Sequence, residues 1–190
     1  MDYDFYNAEW QHLIRQVIPN KHTWFLDKTT NKIDICFTHK FLSNKRVLYL
    51  GIPSCFEPES NQQFKDYLNY KSDLKTLGID KIIYGSDDSP YVMDAWLASF
   101  EPHNCIGYMC DGLGQLSSDF NVYVDRSHLG LKQRVWRHFM ILDDCRIEYF
   151  DAEDGMTHFG ADQNPYDKCK PHNVVEVIKK LNEGFNSQNL

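Results

Sequence analysis

Apolar residues recur along this chain at helical spacing in some stretches and at strand spacing in others, and the alternation outlines a fold. Tyr6, Trp10, Leu13, Ile14 and Val17 draw one stripe of an amphipathic helix over residues 6 to 18, which Pro19-Asn20 stops. Two short runs follow, Thr23 to Leu26 and Ile33 to Phe37. The turn-forming Asp27-Lys28-Thr29-Thr30-Asn31 between them predicts a hairpin. Arg46 to Ile52 is an apolar strand that ends in the proline-punctuated turn Pro53-Ser54-Cys55-Phe56-Glu57-Pro58. Beyond it Phe64, Tyr67, Leu68, Lys71, Leu74 and Leu77 fall at helical spacing, and Gly78 caps this longest helix.

Lys81-Ile82-Ile83-Tyr84 predicts a short buried strand, and Ser86-Asp87-Asp88-Ser89-Pro90 is a capping signal for a helix over Tyr91 to Phe100. Strand Ile106 to Cys110 and the turn Asp111-Gly112-Leu113-Gly114 come next. Strand, helix, strand, helix, strand in succession predicts parallel pairing with helices on both faces of a sheet. Arg134 to Leu142 reads as one strand that turns at Asp143-Asp144-Cys145-Arg146 and returns through Ile147 to Phe150, an antiparallel hairpin at one side of the sheet. Residues 151 to 171 are polar and punctuated by Gly155, Gly160, Pro165 and Pro171, a loop long enough to be functional or mobile. Val174, Val175, Val177, Ile178 and Leu181 predict a last helix, and the tail from Asn186 is expected to be disordered.

The class is therefore α/β. At 190 residues the chain suits one domain with a small extension, burying roughly 70% of its unfolded surface without metals or disulfides. With 42% hydrophobic and 25% charged residues and no apolar run of bilayer length, no membrane role is indicated. A formal charge of −7, with the basic residues scattered, argues against nucleic acid as a partner. Met1-Asp2-Tyr3-Asp4-Phe5 lacks the basic and apolar regions of a secretory signal, so a cytoplasmic location is expected.

Six cysteines, Cys36, Cys55, Cys105, Cys110, Cys145 and Cys169, form no CxxC pair and no zinc-like spacing. Cys36, Cys105, Cys110 and Cys145 read as small buried hydrophobes. His138 reads as a core or sheet-face residue, because no nucleophile stands beside it. His158, Asp162 and His172 match no defined metal spacing, so neither metal nor cofactor is expected. Trp10, Trp24, Trp96 and Trp136 read as packing residues, or in part as a dimer surface.

Candidate chemistry sits at the turn after Ile52. A buried strand feeding a helix N-terminus sets backbone N–H groups and the positive end of a helix dipole at the rim of a sheet, a natural place for an anion. Pro53, Phe56, Pro58 and Ser60 carry the spacing of the active-site loop Pro-Gly-Ala-Phe-Thr-Pro-Thr-Cys of the peroxiredoxins of the type-II, peroxiredoxin-five-like group. Pro90-Tyr91-Val92-Met93-Asp94-Ala95-Trp96 resembles that family's Pro-Phe-Val-Met-x-Ala-Trp helix. Cys110 to Leu116 resembles its Ala-Asp-Gly-x-Gly-x-Phe turn. Leu129-Gly130 and Arg134-Val135-Trp136-Arg137 resemble its Leu-Gly and Arg-Ser-x-Arg stretch.

The resemblance, over about residues 17 to 184, implies a thioredoxin-like fold in the peroxiredoxin arrangement, a central mixed sheet flanked by helices. It divides the chain into an N-terminal helical extension over 1 to 18, a redoxin domain over 19 to 184 and a flexible tail over 185 to 190. The implied ancestral activity is thiol-dependent reduction of hydrogen peroxide and alkyl hydroperoxides. There a thiolate attacks one peroxide oxygen while hydrogen-bond donors and positive charge hold the oxygens. Pro53 matches the proline that shields the site, and Arg137 matches the active-site arginine, whose fork of donors suits an anion.

The peroxidatic cysteine position, however, is Ser60, and the threonine position is Glu57. An alcohol is a far weaker acid than a thiol and forms no recyclable sulfenic acid. An ionised carboxylate accepts hydrogen bonds but cannot donate one as threonine does. Ordinary peroxidase activity is therefore expected to be lost or severely reduced, leaving a binding or structural role. Glu57 is expected to pair with Arg137 and close the pocket. The alternative is an active thiol oxidoreductase that uses Cys55, at the family's alanine position, with Cys169 as resolving cysteine. Without reactivity, Cys55 is a buried strand-end residue and Cys169 an incidental loop cysteine. The resemblance also implies a homodimer packed through loops near the site, and thioredoxin, glutaredoxin or glutathione as reductants only where a redox-active cysteine exists.

Overall fold

The computed structural model describes residues 9–100, 105–157 and 163–187. Strands β1 (His22–Asp27) and β2 (Lys32–Phe37) form the hairpin that the alternation predicts. Helix α1 (Thr38–Leu42) leads to β3 (Arg46–Gly51), α2 (Pro58–Thr76), β4 (Lys81–Ser86), α3 (Pro90–Ala98), β5 (Ile106–Cys110) and α4 (Gln115–Asp119). A small separate ladder, β6 (Tyr123–Asp125) with β7 (Gln133–Val135), precedes β8 (His138–Asp143), β9 (Arg146–Ala152) and α5 (Pro171–Ser187). Seven strands make the main sheet in the order β2-β1-β5-β4-β3-β8-β9. Strands β3, β4 and β5 run parallel, and the remaining pairs are antiparallel.

Side-chain alternation along β3 divides the interior into two layers. Leu48 and Leu50 pack with Phe64 and Tyr67 of α2, Met93 and Trp96 of α3, and Val174 and Ile178 of α5. Val47 and Tyr49 pack on the opposite face with Leu42, Leu116, Phe120 and Trp136. A strand covered on both faces reads as an unbroken apolar run, as β3 does. Gly51 closes that run because a Cβ there would stand 2.0 Å from Cε1 of His138. The β8–β9 hairpin turns at Asp144 and Cys145, both at positive φ (42° and 67°), as a two-residue turn of the mirror-image type requires.

The helix expected over residues 6 to 18 does not form in its described part. Residues 1 to 8 lie outside the described residues, and from there the chain makes a single 3-10 turn, Gln11–Leu13, before Arg15 takes a positive φ of 70°. The segment has found another backbone partner. Arg15 N–H donates to the Ile147 carbonyl, Ile147 N–H to that of Gln16, and Ile18 N–H to that of Cys145. This segment therefore covers the start of edge strand β9, and its apolar residues Trp10, Leu13 and Ile18 are still buried.

Arg134 to Leu142 is also not one strand. β7 pairs with β6 while β8 pairs with β3 and β9, and Trp136 and Arg137 step between the two ladders. Trp136 N–H donates to the Val122 carbonyl at 2.8 Å, and its indole N–H donates to the Glu153 carbonyl at 2.7 Å. The apolar run hid the break because Trp136 and Arg137 are as buried as the strands they separate. Helix α5 runs to Ser187, into the tail expected to be disordered, and residues 188 to 190 lie outside the described residues. No helix among the described residues is long and apolar enough to cross a membrane.

Candidate functional site

The turn between β3 and α2 is held by side chains from three directions. Ser54 hydroxyl and Cys55 N–H both donate to Asp88 Oδ2, at 3.0 and 2.6 Å. Asp88 is tethered in turn by Arg134, whose Nη1 lies 3.0 Å from Asp87 Oδ1 and 3.3 Å from Asp88 Oδ1. Phe56 then takes a positive φ of 62°, and the Asn61 amide secures it by donating to its carbonyl at 3.1 Å. The Trp96 indole of α3 donates to Asn61 Oδ1 at 2.8 Å. With Pro53 buried and Pro58 opening α2, Ser60 arrives fully buried in the first turn of the helix.

Facing it is Arg137, also fully buried. Its Nη2 donates to Ser60 Oγ at 3.3 Å and to Asn164 Oδ1 at 2.9 Å. Nε donates to the Pro165 carbonyl at 3.1 Å, and Nη1 donates to Gln63 Oε1. Tyr166 lies under the guanidinium, with its ring centroid 5.7 Å from Cζ. Each of these acceptors is neutral, so burial pushes the Arg137 guanidinium below its ordinary range while the carboxylates of Glu57, Glu153 and Glu59 act the other way.

Glu57 does not pair directly with Arg137, contrary to the expectation. It occupies the N-cap position of α2, yet its carboxylate makes no cap bond. Glu57 Oε2 accepts instead from Asn164 Nδ2 at 2.7 Å, and the same Nδ2 donates to Glu59 Oε2 at 3.1 Å. Asn164 stands between the charges because one amide offers an acceptor to the cation and a donor to the anions. Half-buried, Glu57 has its carboxyl pushed up by burial, against the pull of Arg137 and Arg126.

Cys55 and Cys169 are both buried, and neither is in a disulfide. Burial pushes the Cys55 thiol far up, and neighbouring Asp88 pushes further. Burial and then Glu153 do the same to Cys169. Both thiols are therefore protonated at neutral pH, the unreactive form. Cys36, Cys110 and Cys145 are buried as expected, whereas Cys105 is only half-buried. His138 is a core residue, its Nδ1–H donating to the Trp136 carbonyl at 2.8 Å and its ring stacked on Phe150. His158 and Asp162 lie outside the described residues, and His172 is exposed in the first turn of α5. Sequence reasoning missed Gln63 and Asn164. Gln63 follows Ser60 by three positions and so shares its helix face, a legible signal. Asn164 carried none beyond its place in a long polar loop.

Residues 25–168 match the Redoxin family model. Among relatives, the chain is 29% identical over 136 residues to a peroxiredoxin-2C of Oryza sativa subsp. japonica, covering 70% of this chain and 84% of that protein. It is 29% identical over 162 residues to a peroxiredoxin of Rhizobium etli, covering 85% and 84%. Among solved structures, the Plasmodium falciparum antioxidant protein, a 1-Cys peroxiredoxin, superposes with a TM-score of 0.78 at 24% identity, covering 87% of this chain and 99% of that one.

Proposed function

The chain belongs to the Redoxin family, as a peroxiredoxin of the thioredoxin superfamily, and from that premise we propose that its ordinary thiol peroxidase activity is lost or severely reduced, leaving a binding or structural role. The observation that carries this reading is the buried hydroxyl of Ser60 against Arg137 Nη2, where the resemblance places the reacting sulfur. A serine hydroxyl stays protonated at neutral pH, and no sulfenic acid forms on oxygen. Thioredoxin, glutaredoxin or glutathione then has nothing to reduce at residue 60. Hydrogen peroxide consumption by the fully reduced protein with dithiothreitol tests this. Wild type and Cys55→Ala are both expected at the protein-free background. Turnover by wild type that disappears in Cys55→Ala would move the chemistry to Cys55 and overturn the reading.

The same end of the molecule supports a homodimer. Phe56, Tyr91, Val92 and Leu113 are exposed, and they stand where the chain leaves the C-terminal ends of parallel strands β3, β4 and β5. Exposed apolar side chains gathered at one end mark a contact surface. Phe56→Asp combined with Leu113→Asp is expected to shift the sedimenting species from dimer to monomer. A wild type that sediments as a monomer would dismiss this face as a self-contact.

A further inference from the structure

Residues 163–169 cross the face of the site, between β9 and α5. Arg126 Nη2 donates to the Gln163 carbonyl at 2.7 Å. Asn164 joins Arg137 to Glu57 and Glu59, and the Pro165 carbonyl accepts from Arg137 Nε. Tyr166 hydroxyl donates to Asp66 Oδ2 on α2 at 2.9 Å. At the far end three successive backbone N–H groups, those of Asp167, Lys168 and Cys169, donate to the buried Glu153 carboxylate at 2.9, 3.1 and 2.8 Å. Gln163 and Asp167 face solvent while Cys169 beneath them is fully buried, as are Ser60, Gln63 and Arg137.

This segment is fixed chiefly by polar bonds along its length, including one from the Tyr67 hydroxyl to the Cys169 carbonyl at 2.8 Å, with Tyr166 and Cys169 as its main apolar anchors. Segments of that kind open locally at a free energy well below that of global unfolding. We propose that residues 163–169 form a latch over residue 60: Asn164 and Glu153 hold it shut, and release of either end admits small molecules to the Ser60–Arg137 pair and uncovers Cys169 in the same motion. The proposal rests on reading Ser60 and Arg137 as the family's former reaction centre, and it adds the element that controls entry to it.

Site-resolved alkylation by iodoacetamide, read by peptide mass spectrometry, tests it without any need for peroxidase activity. In the Ser60→Cys background, adding Asn164→Gly or Glu153→Gln is expected to raise labelling at position 60 and at Cys169 at least tenfold, with Cys110 in β5 unchanged. With Ser60 retained, Glu153→Gln alone is expected to raise labelling of Cys169, so the test stands even where Ser60→Cys does not fold. Unchanged labelling at both positions would overturn the latch. So would a parallel rise at Cys110, which is equally buried in the sheet and would report opening of the whole molecule. Peroxide turnover by wild type would overturn the loss of peroxidase activity and leave the labelling pattern to be judged on its own.

Discussion

Ser60→Cys combined with Glu57→Thr is expected to consume hydrogen peroxide, with dithiothreitol present, well above the protein-free background at which wild type stays, and about 100-fold faster than Ser60→Cys alone, the typical worth of one transition-state donor. The introduced sulfur would replace an oxygen that already receives Arg137 Nη2 at 3.3 Å, so positive charge is in place to favour a thiolate. That thiolate would attack one peroxide oxygen, forming the S–O bond as the O–O bond breaks. The departing hydroxide would take a proton to leave as water, and dithiothreitol would reduce the sulfenic acid back to the thiol as it closes its own disulfide. Glu57 opposes this in two ways. A neighbouring carboxylate disfavours the thiolate, and it cannot donate a hydrogen bond to peroxide as threonine can. Glu57→Thr also removes one of the two carboxylates that hold the Asn164 amide, which loosens the latch. A double variant that folds and still matches wild type would show a pocket altered beyond these two positions, and Asn164→Gly added to it would then separate a sealed pocket from a dismantled one.

The sheet was legible because its central strands are buried on both faces. An apolar run such as Val47 to Leu50 has no other stable place in a chain of this length. The strand–turn–helix that carries Ser60 was legible too, through Pro53, Pro58 and the spacing between them. The N-terminal segment misled because its apolar stripe is used, by Trp10, Leu13 and Ile18, without a helix. Periodicity reports which residues are buried and not which backbone partner they take, and here the edge of β9 at Cys145 and Ile147 competed successfully. The Glu57–Arg137 pairing failed for a related reason. Charges of opposite sign suggest contact from sequence alone, but one amide from a distant loop satisfies both while neither is fully desolvated by the other. Asn164 lies 107 positions from Glu57, and no local pattern encodes a contact of that separation.

Acid is expected to destabilise the fold through His138, which contributes about 3 kcal/mol at neutral pH that is lost between pH 6.5 and about 4. The ring is wholly buried between Tyr49 and Phe150, against a Gly51 whose lack of a Cβ makes room for it. Nδ1–H donates to the Trp136 carbonyl, and Nε2 has no partner among the described residues. Burial without a compensating carboxylate disfavours the cation and pushes the imidazole from 6.5 down to about 4. The sign follows from proton counting: between these two values the unfolded chain holds the proton and the folded chain does not, so lowering the pH favours unfolding. Glu57, Asp87 and Asp111, whose carboxyls burial pushes up, take up protons in the folded state and act in the opposite direction, which flattens the profile of the wild type. The contribution of His138 is therefore read as a difference. Urea unfolding of wild type and His138→Leu at pH 7 and pH 4 is expected to show the stability gap between them shrinking by about 3 kcal/mol at the lower pH, and an unchanged gap would remove His138 from the acid response.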